Sequence, residues 1–197
     1  MFAALNSFLT RAVSGYFLNK SLRFRSSASA YLNRTPATAT NQQTYTWSGW
    51  VKRGILSSST RYTIFESSNG GANNFTSFCF DSDTIRLISY NGGIKVLDRT
   101  STSVYRDPSS WYHIVFAIDM TQAIDANKQR VYINGVEITS WTNTTILAQN
   151  SNTWINYNQA HYIARDVDIS TYFDGEMAEV NFVDGQALAP TAFGAYS

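Results

Sequence analysis

Carboxylates crowd one short stretch of the chain. YFDGEMAEVNFVDGQAL, residues 172–188, holds Asp174, Glu176, Glu179 and Asp184, four of the fourteen acidic residues. Paired carboxylates can serve as acid and nucleophile, and a few carboxylate oxygens can hold a divalent cation. Both uses need the acids on one face. Glu176 and Glu179 are three apart, so in a regular strand they point to opposite faces. Asp174-Gly175 and Asp184-Gly185 read instead as turns at the two ends of a strand whose Met177, Val180 and Phe182 point inward. Met177 and Val180 are also three apart, so a bulge between them is expected, and it re-aims Glu179. Elsewhere, Asp81-Ser82-Asp83 and Asp166-Val167-Asp168 place two acids at i, i+2, although the first sits where a turn is expected. His113 and His161 fall on separate predicted strands with no third nitrogen or sulfur ligand in view, which disfavours zinc. His113, within WYHIVF, reads as a hydrogen-bonded structural histidine. Cys79, the single cysteine, excludes an intramolecular disulfide and reads as a small buried hydrophobe.

A second set of side chains suggests stacking chemistry. Trp141, Trp154, Tyr157 and Tyr172 lie near loops rich in asparagine, and WINYNQAHY mixes aromatic faces with amides as a pyranose-stacking site does. The competing structural reading is that most of the five tryptophans fill the core or cover a sheet.

The elements that must position these residues are strands. At 197 residues and 44% hydrophobic, the chain can bury one substantial core, and its size argues for one domain plus an arm. From Ser21 onward SLRFRS, TYTWSGWVKR, RYTIFES, FTSFCFDS, TIRLISY, IKVLDR, WYHIVFAIDM, QRVYINGVEITSW, HYIARD and EMAEVNFVD alternate or run apolar, separated by Asn-Gly, Asp-Gly and Gly-Gly turns. About ten strands, packed as two antiparallel sheets, make the expected fold all-β. RVYINGVEI is a hairpin on a type I′ Asn134-Gly135 turn. Trp111 to Met120 is expected to pair beside it, and Thr121 to Lys128 to form a polar loop. Residues 1–20 differ: Phe2, Leu5, Phe8, Leu9, Val13 and Phe17 recur at helical spacing, predicting a short helical or extended arm before a sandwich over 21–197. The arm's interruptions by Asn6, Ser7 and Arg11 make it a poor signal peptide. No run reaches the length of a membrane span.

Charge is lopsided. Residues 1–65 hold eight basic side chains and no acidic one, against seven basic and fourteen acidic in the remainder. Either the basic part docks on an acidic partner, or the two halves face each other within one fold. A net charge of +1 disfavours nucleic acid, although Arg23, Phe24 and Arg25 interleave basic and aromatic residues.

The order of motifs, TYTWSGWVK, DPSSWYHIVFAID, RVYINGVEI, HYIAR and YFDGEMAEVNFVDGQAL, resembles the laminin-G-like and concanavalin A-like lectin/glucanase superfamily. SLRFRSSASAYLNRTPATATNQQTYTWSGWVKRG together with YFDGEMAEVNFVDGQALAPTAFG is similar to laminin-G-like domains of tailed-bacteriophage virion proteins, over about residues 21–194. The resemblance implies a jelly-roll sandwich and a non-enzymatic virion protein, a capsid decoration or head fibre, or else a tail-fibre or spike module that binds host glycans. A glycosidase of this fold needs carboxylates on one strand as Glu-x-Asp-x-Glu or a close variant, and the chain has none. No cofactor is expected; calcium, which laminin-G-like relatives often bind, is the candidate, with Asp81, Asp83, Asp166 and Asp168 as oxygen donors. The expected assembly interface is Phe2, Leu5, Phe8, Leu9, Arg11, Val13, Phe17 and Lys20, with Arg23 and Arg25 beside it, facing other virion proteins and further copies of the chain, a trimer among the options. Trp141, Trp154, Tyr157 and Tyr172 are the candidate glycan contacts.

Overall fold

Alternation of apolar and polar residues turns into strand after strand. The structure, a computed structural model, describes residues 18–194. Of the expected assembly residues, Phe2, Leu5, Phe8, Leu9, Arg11, Val13 and Phe17 lie outside the described residues, and Lys20 within them. The strands are β1 (Leu22–Phe24), β2 (Leu32–Arg34), β3 (Thr44–Arg53), β4 (Arg61–Ser68), β5 (Phe75–Asp81), β6 (Thr84–Asn91), β7 (Ile94–Val104), β8 (Tyr112–Asp119), β9 (Gln129–Ile133), β10 (Val136–Glu137), β11 (Trp141–Thr145), β12 (Ala160–Ile163), β13 (Arg165–Asp166), β14 (Thr171–Tyr172) and β15 (Gly175–Asp184). One sheet runs β1-β15-β3-β8-β9-β10 and the other β11-β7-β6-β5-β4-β12-β2, with β13 and β14 as a small separate pair. All pairings are antiparallel. This is the two-sheet all-β sandwich that the alternation predicts and the jelly roll that the resemblance implies.

The core lies between the sheets. Trp47 of β3 and Phe116 of β8 meet at 6.0 Å, and Phe116 stacks across the gap on Phe78 of β5 at 4.3 Å. Each such ring, fully buried, contributes roughly 1.5–3 kcal/mol. The outer face of the six-stranded sheet is covered as well. Thr46 donates its hydroxyl to the Gln186 carbonyl (2.7 Å) and accepts from the Leu188 N–H (2.8 Å), so the segment after β15 lies across β3.

Turn chemistry sets the registers. Asn134 (φ 51°) and Gly135 (φ 82°) form the expected tight turn, with Val136 opposite Ile133. β8 pairs with β9, as expected. Ser82 and Asp83, both at positive φ, make the β5–β6 turn, so Asp81-Ser82-Asp83 is a hairpin tip. The 121–128 loop is not wholly irregular: Asp125–Lys128 closes one helical turn, with Lys128 donating to Asp125 (2.6 Å).

β15 carries the expected bulge. Its register with β3 slips between Ala178 and Asn181, and Glu179 takes φ 48°. The slip changes which side chains face inward. Met177 is buried, Val180 packs on the core, and Phe182, opposite Trp47 and stacked on Tyr45, lies on the same inner side as expected, although it stays 38% exposed at the margin of the sandwich.

The lopsided charge resolves within the fold. Arg23 pairs with Asp174 (2.7 Å), Arg53 with Asp83 (2.7 Å), and Arg61 with Asp166 and Asp168. Early arginines therefore meet late aspartates, and Arg23, expected to face an outside acidic surface, holds Asp174 with its side chain still 48% exposed. Arg25, by contrast, is exposed.

Candidate functional site

Three of the four carboxylates of residues 172–188, Asp174, Glu176 and Asp184, are engaged within the fold. Asp174 accepts from Arg23, from the Ser26 N–H (3.1 Å) and from the Ser26 hydroxyl (3.1 Å), tying β1 and the turn after it to the start of β15. Glu176 accepts from Ser21 (3.3 Å) and Asp184 from the Asn156 amide (2.8 Å).

The expected calcium donors are held by arginines. Asp166, fully buried, receives two hydrogen bonds from Arg61, one from Thr63 (2.8 Å) and one from the Ile169 N–H (3.0 Å). Asp168 receives Arg61 as well (2.9 Å). Asp81 receives Arg86 (2.5 Å), and Asp83 receives Arg53, Arg106 and the Ser57 N–H. Burial alone would raise the Asp83 carboxyl, but the bonds from Arg53 and Arg106 outweigh it and hold it below the usual range. Oxygens already committed to guanidinium groups do not fit a cation, and no group of three or more His, Cys, Asp or Glu among the described residues is placed to hold one. His113 is the structural histidine its context suggests: it is buried, within 3.0 Å of the Ser48 hydroxyl and against Trp50, and burial lowers its pKa to about 4. Cys79 is fully buried, and burial pushes its thiol far above the ordinary range.

Glu66 is a different case. It is fully buried on β4 and accepts from the Val167 N–H (3.1 Å), while its second oxygen has no hydrogen-bond partner among the described residues. Burial first, and the neighbouring Asp166 charge second, push this carboxyl up to about 8. A neutral acid under the β13–β14 segment is the consequence.

The four aromatic candidates divide. Trp154 and Tyr157 come together edge to face at 5.3 Å, with the Trp154 indole N–H donating to the Tyr90 carbonyl (2.7 Å) and Tyr157 40% exposed. Trp141 is elsewhere, on β11 at one edge of the seven-stranded sheet; it packs against the core and carries the Arg99 guanidinium 4.3 Å from its ring centroid. Its face is thereby occupied. Tyr172 sits on β14 with its ring 6.0 Å from Tyr31, near Tyr162 and Arg165.

Beside the Trp154–Tyr157 pair the structure adds a groove that the sequence did not reveal. It has a volume of about 420 Å³ and runs between the β2–β12 edge and the second half of β15. Ligand sites run from about 300 to 1,000 Å³, so one or two sugar units fit. Its floor is aromatic: Phe65 lies 5.6 Å from Phe182 and 5.9 Å from His161. Asn33, Arg34, Asn156 and Asp184 supply polar groups to the lining. Asn156, at φ 64°, is fixed by donating its amide to the Asn41 carbonyl (2.6 Å) and to Asp184. Its N–H donates to His161 Nε2 (3.0 Å), so that nitrogen is bare and Nδ1–H is left to donate to the Gln159 carbonyl (2.9 Å). His161 is therefore neutral, and burial lowers its pKa. Phe182 reaches this floor only because the bulge turns the second half of β15. Tyr157, the next residue after Asn156, extends the same loop.

A family model described as the concanavalin A-like lectin/glucanases superfamily matches residues 26–191. The chain belongs to that superfamily. Solved structures with the same lectin-like jelly roll include the CBM40 domain of a Ruminococcus gnavus IT-sialidase, at TM-score 0.55 and 12% identity over 85% of this chain and 100% of that one. Domain 4 of AbnA, a GH43 extracellular arabinanase of Geobacillus stearothermophilus, in complex with arabinotriose, is similar at TM-score 0.52 and 21% identity, over 77% of this chain and 65% of its own. A heptameric SAP-like pentraxin of Limulus polyphemus follows at 0.52 and 18%, over 81% and 71%. No curated protein sequence matches. Within the superfamily fold, the groove lies at an open edge between the two sheets, where β2 and the end of β15 leave the aromatic floor exposed.

Proposed function

We propose that the chain is a non-enzymatic carbohydrate-binding jelly-roll domain of a bacteriophage particle, attached through residues 1–20. The observation that carries the binding role is the groove: a concave aromatic floor with prefixed amide and carboxylate groups, the arrangement that stacks on a sugar face and reads its hydroxyls. The arabinotriose complex of the similar arabinanase domain supports the same ligand class. The particle assignment rests on the order of sequence motifs. A groove of this kind favours a tail-fibre or spike module over a decoration protein that binds nothing. The absence of a paired-carboxylate strand, with the acids of β15 engaged in tying down β1 and the groove loop, supports binding without hydrolysis.

The test is a glycan array, followed by adsorption to bacterial cells. Phe182→Ala removes half of the aromatic floor; because the ring also packs on Tyr45 and Phe65, it should lower the melting temperature without preventing folding, and weaken glycan retention at least about tenfold. Tyr157→Ala tests the adjoining pair in the same way. Wild-type protein that retains no glycan and adsorbs to no cell defeats the binding role. For attachment, removal of residues 1–20 should leave a folded sandwich that no longer joins its assembly, and a shortened protein that assembles normally defeats that part.

A further inference from the structure

On the opposite face of the β2–β12 edge from the groove, three tyrosines converge on one cation. The Arg165 guanidinium carbon lies 4.7 Å from the Tyr31 ring centroid, 5.3 Å from that of Tyr162 and 5.8 Å from that of Tyr172. Tyr31 is 6.1 Å from Tyr162 and 6.0 Å from Tyr172, so the rings form one continuous wall, and Tyr31 itself is 37% exposed.

The cation lacks an anion. Among the described arginines that are not exposed, Arg53, Arg61 and Arg86 each hold a carboxylate, and Arg99 donates to the Gln129 carbonyl. Arg165 has no hydrogen bond or ion pair within the described residues, and its Nε is buried without an acceptor. The backbone beside it is strained into place. Ala164, buried and not glycine, takes φ 67°, held by its N–H on the Ile64 carbonyl (3.2 Å) and by the Phe173 N–H on its own carbonyl (2.9 Å). Positive φ at a residue with a Cβ persists only where its surroundings enforce it, and such outliers gather at ligand sites. β13 and β14 then pair Arg165 directly with Tyr172.

We propose that Arg165, Tyr31, Tyr162 and Tyr172 form a second subsite, for a carboxylate-bearing sugar such as a hexuronic or sialic acid unit. A guanidinium matches a planar carboxylate through two parallel hydrogen bonds, and Tyr31, 37% exposed, keeps ring surface beside the cation for the C–H side of a pyranose ring. An inorganic anion would use the first feature and waste the second. This inference deepens the proposed binding role and rests on it, at a place separate from the groove.

The experiment is a titration of ¹⁵N-labelled full-length protein, following the Arg165 Nε–H and the Trp154 indole N–H. The probes are the methyl glycosides of glucuronic acid and N-acetylneuraminic acid, their methyl esters, neutral glucose and galactose oligosaccharides, and acetate. The acids should shift the Arg165 signal saturably, the esters and acetate should not, and Arg165→Lys should weaken the acids at least about tenfold while melting normally. An Arg165 signal that stays still, or that moves equally with acetate or with the esters, overturns the subsite. Neutral oligosaccharides that move Trp154 while no acid moves Arg165 overturn the subsite and leave the groove reading standing. Acids that move Arg165 while neutral sugars move nothing support the subsite and count against the groove.

Discussion

Two buried titratable groups pull stability in opposite directions with pH. Glu66 is held protonated up to about 8, whereas in the unfolded chain it releases its proton near 4.5. Its contribution is complete below 4.5 and is lost as pH rises towards 8, at up to about 1.4 kcal/mol per pH unit. His113 falls from 6.5 to about 4, so its contribution is present above 6.5 and is lost as pH falls towards 4. Melting temperature should therefore decline from pH 6.5 to 8, and Glu66→Gln should flatten that decline; equal slopes in the two proteins would remove Glu66 as the cause. Ion pairs separate by depth. Asp83→Ala strands Arg53, which is 1% exposed, and should cost about 3–5 kcal/mol in urea unfolding. Arg106→Ala, on the solvent side of the same aspartate, should cost less than about 1 kcal/mol. Such partners were not legible in the chain. Asp81-Ser82-Asp83 and Asp166-Val167-Asp168 looked like cation ligands because i, i+2 spacing says nothing of a guanidinium arriving from elsewhere in the fold, from 5 to 107 residues away in sequence.

At the scale of elements, turns and alternation were legible and edges were not. Asn134-Gly135, the β8–β9 pairing and the bulge in β15 all follow from local residue types, because φ preference and face alternation are local properties. The groove depends on two strands meeting across the open side of the sandwich: the bulge keeps Phe182 on the inner side, opposite Trp47, but nothing local to β15 says that the sandwich is open at that end. Two substitutions probe β15. A Cβ at Gly175, φ 150°, would stand 2.2 Å from the Lys52 carbonyl oxygen, so Gly175→Ala should cost about 4 kcal/mol or more, or prevent folding. Glu179, at φ 48°, should tolerate glycine, while Glu179→Val should lose about 1–2 kcal/mol by chemical denaturation, since a β-branched residue is disfavoured there. Equal losses for the two variants would contradict a bulge fixed by that conformation.

At the scale of the molecule, the first strand and the last meet: β1 lies at the margin of the six-stranded sheet, beside β15. Lys20 lines a shallow hollow there with Leu22, Leu32, Ile163 and Val180. The fold class, the superfamily and the antiparallel pairing could be read from motif order, while the internal matching of charge, basic early strands against acidic late ones, became visible only with the pairing in hand. It predicts that raising salt will shift the melting temperature little, since the pairs Arg53–Asp83 and Arg61–Asp166 are shielded from solvent. A large salt-dependent loss would place the important pairs at the surface instead.

The link between β1 and the rest also has a mechanical meaning. Tension entering from the N-terminal side reaches Leu22 first, opposite Met177, then Arg23 opposite Glu176, then Phe24 opposite Gly175. Behind those three rungs stands the Asp174 clamp on Ser26. A pulled tether would peel β1 like a zip until it met that clamp, uncovering Phe24 while β15 stayed laced to β3. β1 would then act as the fuse of the molecule, yielding before the sandwich does.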